Sequence, residues 1–197
     1  MSLAVTDKQE FRFERGFKSW AENTAVTVRG RLGAKHSDPL RPMRLAEHLG
    51  VRVWKPADVQ GLPEASLNYL TSAEGDEWSA LAVRVGRKNV VVLNPTHSPA
   101  RQNSDLTHEL AHLIRQHEPA QIVISEETGI GLRSFNELQE AEANWLAGCL
   151  LLPRPTLSFC AARKVAREGM CEHFGVSEEL LRYRLNVTGV GRQFATV

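Results

Sequence analysis

The residues His108-Glu109-Leu110-Ala111-His112 combine types and spacing that specify a chemistry. Two histidines four residues apart sit one above the other on one face of an α-helix, so both imidazoles reach a single metal ion. The glutamate beside the first histidine lies at the edge of that face, where it can take a proton from a metal-activated water. The pattern points to a zinc hydrolase, with His108 and His112 as ligands and Glu109 as general base. A chain of this length meets the pattern by chance on the order of one per cent of the time, so its surroundings must carry the reading.

Those surroundings place it on a helix. Val90 to Leu93 reads as a strand ended by Asn94-Pro95, and Pro99 to Asp105 as a polar helix entry. From Leu106 the apolar positions Leu106, Leu110, Leu113 and Ile114 keep helical spacing until Pro119 closes the segment.

A catalytic zinc normally takes three protein ligands and leaves a fourth position for water, so another residue is required. The segment Asn136 to Leu152 is apolar on most sides and predicts a buried helix. Within it Glu137, Glu140 and Asn144 recur at i, i+3 and i+7 as a single polar stripe, and a buried polar stripe needs partners. Glu140 is the expected third ligand. Asn144, one turn on, is placed to accept the Nδ1 hydrogen of a ligating histidine. Glu142 points about 200° away from Glu140 and is expected to be a satisfied or rim carboxylate.

Together these residues resemble the ImmA/IrrE family of bacterial metallopeptidases. The likeness is carried by Asn94 at a strand end, Arg101 before the helix, HELAH at 108–112, and the run from Glu140 to Pro153. Glu140, Ala143, Ala147, Leu150, Leu151 and Pro153 match the family pattern E-x-x-A-x-x-F-A-x-x-L-L-x-P, with Leu146 in place of its phenylalanine. Phe174 to Glu179 with Arg182 to Leu185, and Pro39 to Val53, are similar to the flanking segments, so the likeness runs over roughly residues 10 to 190. It implies a zinc-dependent, site-specific endopeptidase that cleaves a helix-turn-helix transcriptional repressor. Such cleavage derepresses a stress, phage-response or mobile-element operon, often after DNA damage. DNA, including single-stranded DNA, is a candidate activator. Some relatives carry a sensor-like domain after the peptidase, and after Leu185 only about a dozen residues remain here.

Composition sets outer bounds. The 197 residues, 42% hydrophobic, suffice for one core, expected as a single metallopeptidase domain over 1–197. Within it, about 1–60 is an N-terminal helical part, 61–153 the catalytic core and 154–197 a C-terminal helical part. The start MSLAVTDKQE is not a signal peptide, and no eighteen consecutive residues are apolar, so a cytoplasmic protein without membrane contact is expected. Cys149, Cys160 and Cys171 lack zinc-ribbon spacing and read as reduced core thiols, although a thiolate capping the zinc is the alternative for one of them. Net charge is +1, with a local excess in residues 1–60 of eleven Lys/Arg over seven Asp/Glu. Arg12, Arg15, Lys18, Arg29, Arg31 and Lys35 there read as a solvated basic face, with contact to DNA or an acidic partner as the alternative.

The remaining pattern gives the scaffold. Phe13, Phe17, Trp20, Thr24 and Val28 predict an amphipathic helix over 8–32. A short helix over 42–50, a strand over 51–54 and a weak helix over 63–70 follow. Residues 78–85 and 88–93 predict an antiparallel pair turning at Gly86-Arg87. Helices are expected over about 154–168 and 177–186. The fold class is α+β: a small, mostly antiparallel sheet packed on the HExxH helix within a mainly helical, zincin-like domain. The donor for a tetrahedral oxyanion stays open among His97, His117, Tyr69, His173 and Tyr183. Two other functions also stay open: a zinc-stabilised anti-repressor that binds without cleaving, and a small-peptide exopeptidase. A purely structural metal site has no need of Glu109 beside it.

Overall fold

A computed structural model describes residues 13–72, 77–86, 88–118, 122–124, 131–133 and 136–194. Residues 8–12 of the expected first helix, the turn residue Arg87 and the closing Pro119 lie outside the described residues. In chain order come helices α1 (Phe17–Arg31) and α2 (Pro42–His48), strand β1 (Arg52–Trp54) and helix α3 (Glu64–Leu70). Strands β2 (Ala80–Val85) and β3 (Lys88–Leu93) lead into α4 (Pro99–Arg115), which carries the HExxH residues. Strands β4 (Ile122–Ile124) and β5 (Gly131–Arg133) precede α5 (Glu137–Leu151), and α6 (Arg154–Ala162), α7 (Arg167–Phe174), α8 (Glu178–Thr188) and α9 (Gly191–Phe194) follow.

The sheet has the order β1-β3-β2. Strand β3 pairs antiparallel with β2 from Ala80↔Leu93 to Val85↔Lys88, and parallel with β1 from Arg52↔Val90 to Trp54↔Val92. Its run Val90-Val91-Val92-Leu93 is buried, as a central strand covered on both faces requires. The sheet is therefore mixed, with the longer pairing antiparallel. Strands β4 and β5 form a separate antiparallel pair that the sequence pattern does not announce.

Helix α4 packs on β2 and β3 and, most extensively, on α5, which α1 covers in turn. The seam between the two site helices is apolar: Leu106, Leu110 and Ala111 on α4, and Ala143, Leu146, Ala147 and Leu150 on α5, all buried in one cluster. Truncating one of its leucines to alanine would cost about 2–5 kcal/mol, which is what fixes the helix-to-helix distance and so the site. The α4 start is set by Pro99 at the first helical position and by Ser98, whose hydroxyl accepts from the Arg101 N–H at 3.3 Å. The α5 start is set by Asn136, whose side chain accepts from the N–H groups of Leu138 and Gln139.

Two expectations need correction. The helix expected over 154–168 ends at Ala162; Lys164 takes a left-handed backbone (φ 54°) and α7 starts afresh at Arg167. Arg29 is not on a solvated face. It is 2% exposed, and its guanidinium donates to the carbonyls of Leu150, Lys35 and Asp38, tying α1 to the end of α5. Burial lowers its pKa, an effect that Asp38 partly opposes. Arg184 is likewise fully buried, donating to the Leu152 carbonyl and pairing with Glu22.

Candidate metal centre

Helix α4 turns Leu106, Leu110 and Ala111 into the core and leaves His108 and His112 half-buried beside them, one turn apart. Helix α5 brings Glu140 to the same place from its first turn, where an acidic side chain suits the positive end of the helix dipole. The Nε2 atoms of His108 and His112 stand 3.0 Å apart, and the Glu140 carboxylate oxygens lie 3.2 Å from the first and 3.6 Å from the second. All three ligand atoms fall within 4.8 Å of one another. Ligands placed about 2.0–2.1 Å from a tetrahedral zinc stand roughly 3.3–3.4 Å apart; the histidine–histidine separation and the distances from Oε2 to His108 and from Oε1 to His112 lie on either side of that spacing.

Hydrogen bonding says what such a group needs. His108 Nδ1 lies 3.0 Å from Asn144 Oδ1, which can only accept, so His108 donates there and a neutral ring keeps its lone pair on Nε2. That lone pair faces a second imidazole nitrogen and a carboxylate; with the hydrogen of His112 on Nδ1 the three are convergent acceptors, an arrangement that calls for a cation. Two imidazoles and one carboxylate suit zinc. Glu109, adjacent to His108, is 7% exposed and turned about 100° round the helix from it.

The family model described as the IrrE N-terminal-like domain of peptidase M78 matches residues 46–186, well over half of the chain. The chain belongs to that family. The IrrE-like match embraces α4, α5 and all of His108, Glu109, His112, Glu140 and Asn144. No curated protein is matched. Among solved structures, a Mycobacterium tuberculosis transcriptional regulator is similar at 15% identity with a TM-score of 0.49, over 88% of this chain. The chain spans about half of that structure, 47% of its length.

Around this IrrE-like site the other residues singled out from the sequence fall as follows. Glu142, 6% exposed, is a satisfied carboxylate: Arg115 Nε lies 3.0 Å and His117 Nε2 3.1 Å from its Oε2. His117 also places its Nδ1 2.9 Å from Nδ1 of His112. Both ring nitrogens of His117 are thus engaged, which removes it as an oxyanion donor. His97 is buried with Nδ1 2.8 Å from Asp105 and Nε2 3.4 Å from the Asn94 amide, so it braces the end of β3 against α4. His173 donates to the Ser37 carbonyl at 2.6 Å. Tyr69 and Tyr183 are exposed, Tyr183 edge-on to Trp145, and burial of part of its ring raises its phenol pKa.

The cysteines lie apart from this chemistry. Cys149 and Cys160 are buried and Cys171 half-buried. Burial pushes the Cys149 thiol up to about 12 and raises the other two as well. A thiol held protonated is a poor zinc donor, so packing, not capping, is the role these surroundings support. The apolar stretch Glu137–Ala162 is long and apolar enough to cross a membrane, and most of its most apolar window is buried in the protein.

The link from His112 through His117 to Glu142 is the part that residue patterns did not assign. The signal was in the chain as a third histidine five residues after His112, but its position past the helix end hides which way it points.

Proposed function

We propose that this protein is a cytoplasmic zinc-dependent endopeptidase that cleaves a helix-turn-helix transcriptional repressor at a specific site. The observation that carries the reading is the convergence of His108, His112 and Glu140 with a buried glutamate, Glu109, next to the first ligand. Membership of the IrrE-like peptidase family supports the reaction class, and the repressor substrate rests on the family resemblance. A DNA-damage, phage-response or mobile-element setting, and DNA as the activating signal, belong to the same proposal.

His108, His112 and Glu140 would hold the zinc, with Asn144 fixing the His108 ring. Bound there, zinc supplies Lewis acidity toward a peptide carbonyl and brings the pKa of water to about 7. Glu109 takes the proton of the attacking water and passes it to the amine that leaves. At 7% exposure that carboxylate is largely screened from bulk solvent. A structural zinc site that merely held a repressor would need no such base.

Glu109→Gln keeps size and zinc ligands while removing the base. Co-expressed with the repressor of the neighbouring operon, this variant should leave the repressor intact and the operon silent. Derepression that survives without cleavage would instead establish a sequestering anti-repressor, and cleavage of free small peptides only would establish an exopeptidase.

A further inference from the structure

His117 lies two residues past the end of α4 and is folded back over the last helical turn. Gln116 makes the reversal with a left-handed backbone (φ 60°, ψ 40°), and the His117 N–H donates to the His112 carbonyl at 3.0 Å. The side chain that results is 5% exposed and stands between two groups: His112 Nδ1 at 2.9 Å and Glu142 Oε2 at 3.1 Å. Glu142 is held in turn by Arg115, whose Nε is 3.0 Å from the same oxygen. The Arg115 guanidinium lies over the Phe17 and Trp20 rings at 5.7 and 5.1 Å, with Glu14 at 3.7 Å.

Proton direction along this chain is decided from its two ends. The Arg115-paired carboxylate accepts, so His117 Nε2 donates to it. With Nε2 of His112 given to the metal, as the zinc reading requires, its ring hydrogen is on Nδ1, and the facing Nδ1 of His117 accepts it. His112 is thereby fixed with its hydrogen on Nδ1 and its lone pair on Nε2, the atom 3.0 Å from His108 Nε2. We propose that His117, seated by Glu142 and Arg115, is a positioning residue for His112: it accepts the Nδ1 hydrogen and holds the Nε2 lone pair on the metal-ligand cluster. This rests on the zinc reading above and deepens it. The two ligating histidines are then oriented differently, His108 by one exposed neutral amide and His112 by a buried, charge-anchored relay. The carboxylates of α5 also divide the work, Glu140 on the cluster directly and Glu142 through His117.

The test uses the full zinc-loaded chain. Zinc affinity is measured by competition with a chromophoric chelator for wild type, His117→Ala and His117→Gln, and ring protonation by two-bond nitrogen–proton NMR of wild type. His117→Ala should weaken zinc about 10–100-fold, the usual effect of removing a partner of a ligand. His117→Gln, which can accept from His112 and donate to Glu142, should recover part of that loss. In wild type the His112 proton should sit on Nδ1 and the His117 proton on Nε2, a signature that loosened packing alone would not produce. A proton on Nδ1 of His117, or zinc affinity in His117→Ala within twofold of wild type, would overturn the proposal. Should the alanine variant not fold, the glutamine variant and the wild-type spectrum decide. A wild-type chain that takes up no zinc overturns this proposal and the peptidase reading together. Zinc uptake with the expected proton positions, but no repressor cleavage, overturns the peptidase reading alone.

Discussion

Replacing Asn144 by alanine removes one hydrogen bond and no metal ligand, so its effect isolates what orientation of His108 is worth. The bond, 3.0 Å from His108 Nδ1 to Asn144 Oδ1, fixes both the ring plane and the tautomer. Partners of this kind contribute about 10–100-fold to metal affinity. Asn144 is solvent-exposed, so water can take over part of its role. The loss should therefore lie at the lower end, about tenfold or roughly 1.4 kcal/mol. Stability of the metal-free protein should change by no more than about 1 kcal/mol, the net contribution of an ordinary hydrogen bond. Asn144→Asp should act in the opposite direction. A carboxylate accepts the same hydrogen more strongly and adds negative charge one turn from Glu140, so zinc should bind about as tightly as in wild type or tighter. Chelator competition gives both affinities, and thermal melting of the metal-free forms gives the control. Zinc affinity of Asn144→Ala within twofold of wild type, or of Asn144→Asp below that of Asn144→Ala, would show that Asn144 does not orient His108.

Three further outcomes are expected. Arg184→Met should destabilise the fold by about 3 kcal/mol in urea titration, because it leaves the Leu152 carbonyl without its donor and takes the charged partner from Glu22, which keeps the Arg154 N–H. Gly148→Ala should also destabilise, although alanine is the better helix former, because the added methyl carbon would lie 3.0 Å from the Arg184 side chain; a more stable variant would show that the contact between α5 and α8 has slack. Stability should fall between pH 9 and 12: the Cys149 thiol ionises near its ordinary value of 9.0 when unfolded but only at about 12 when buried, so its contribution is whole below pH 9 and lost as pH climbs to 12. That is on the order of 4 kcal/mol in total, and Cys149→Ala should abolish this component of the alkaline slope in denaturation measured across that range.

Much of the site is legible because helical periodicity is a strong constraint. Four-residue spacing places His108 with His112, and the polar stripe at 137, 140 and 144 on an otherwise apolar segment picks Glu140 and Asn144 out of several carboxylates and amides. The same spacing puts Glu142 on the far side of α5, and it is there, with Arg115 and His117. His117 is illegible in this way because it follows a left-handed residue, where periodicity stops and no pattern gives direction. Buried arginines fail for a related reason. Arg29 and Arg184 look like surface charge until the carbonyls at the C-terminal end of α5, Leu150 and Leu152, are seen to need donors. The β2–β3 hairpin is local and readable, whereas β1 joins the sheet in parallel across an intervening helix, a pairing set by packing alone. The break after Ala162 carries no glycine or proline to mark it.

On the proposed function, Glu109 beside a zinc held by His108, His112 and Glu140 makes this chain cut one bond in a repressor. Intact-mass spectrometry of the neighbouring operon's repressor after incubation with stoichiometrically zinc-loaded protein reads that cut. Two complementary fragments from a single bond are predicted, abolished by chelation or by Glu140→Ala, and absent with a zinc-loaded Glu109→Gln protein. An intact repressor with the wild-type enzyme, under conditions that include DNA, or undiminished cleavage by Glu109→Gln, would contradict it.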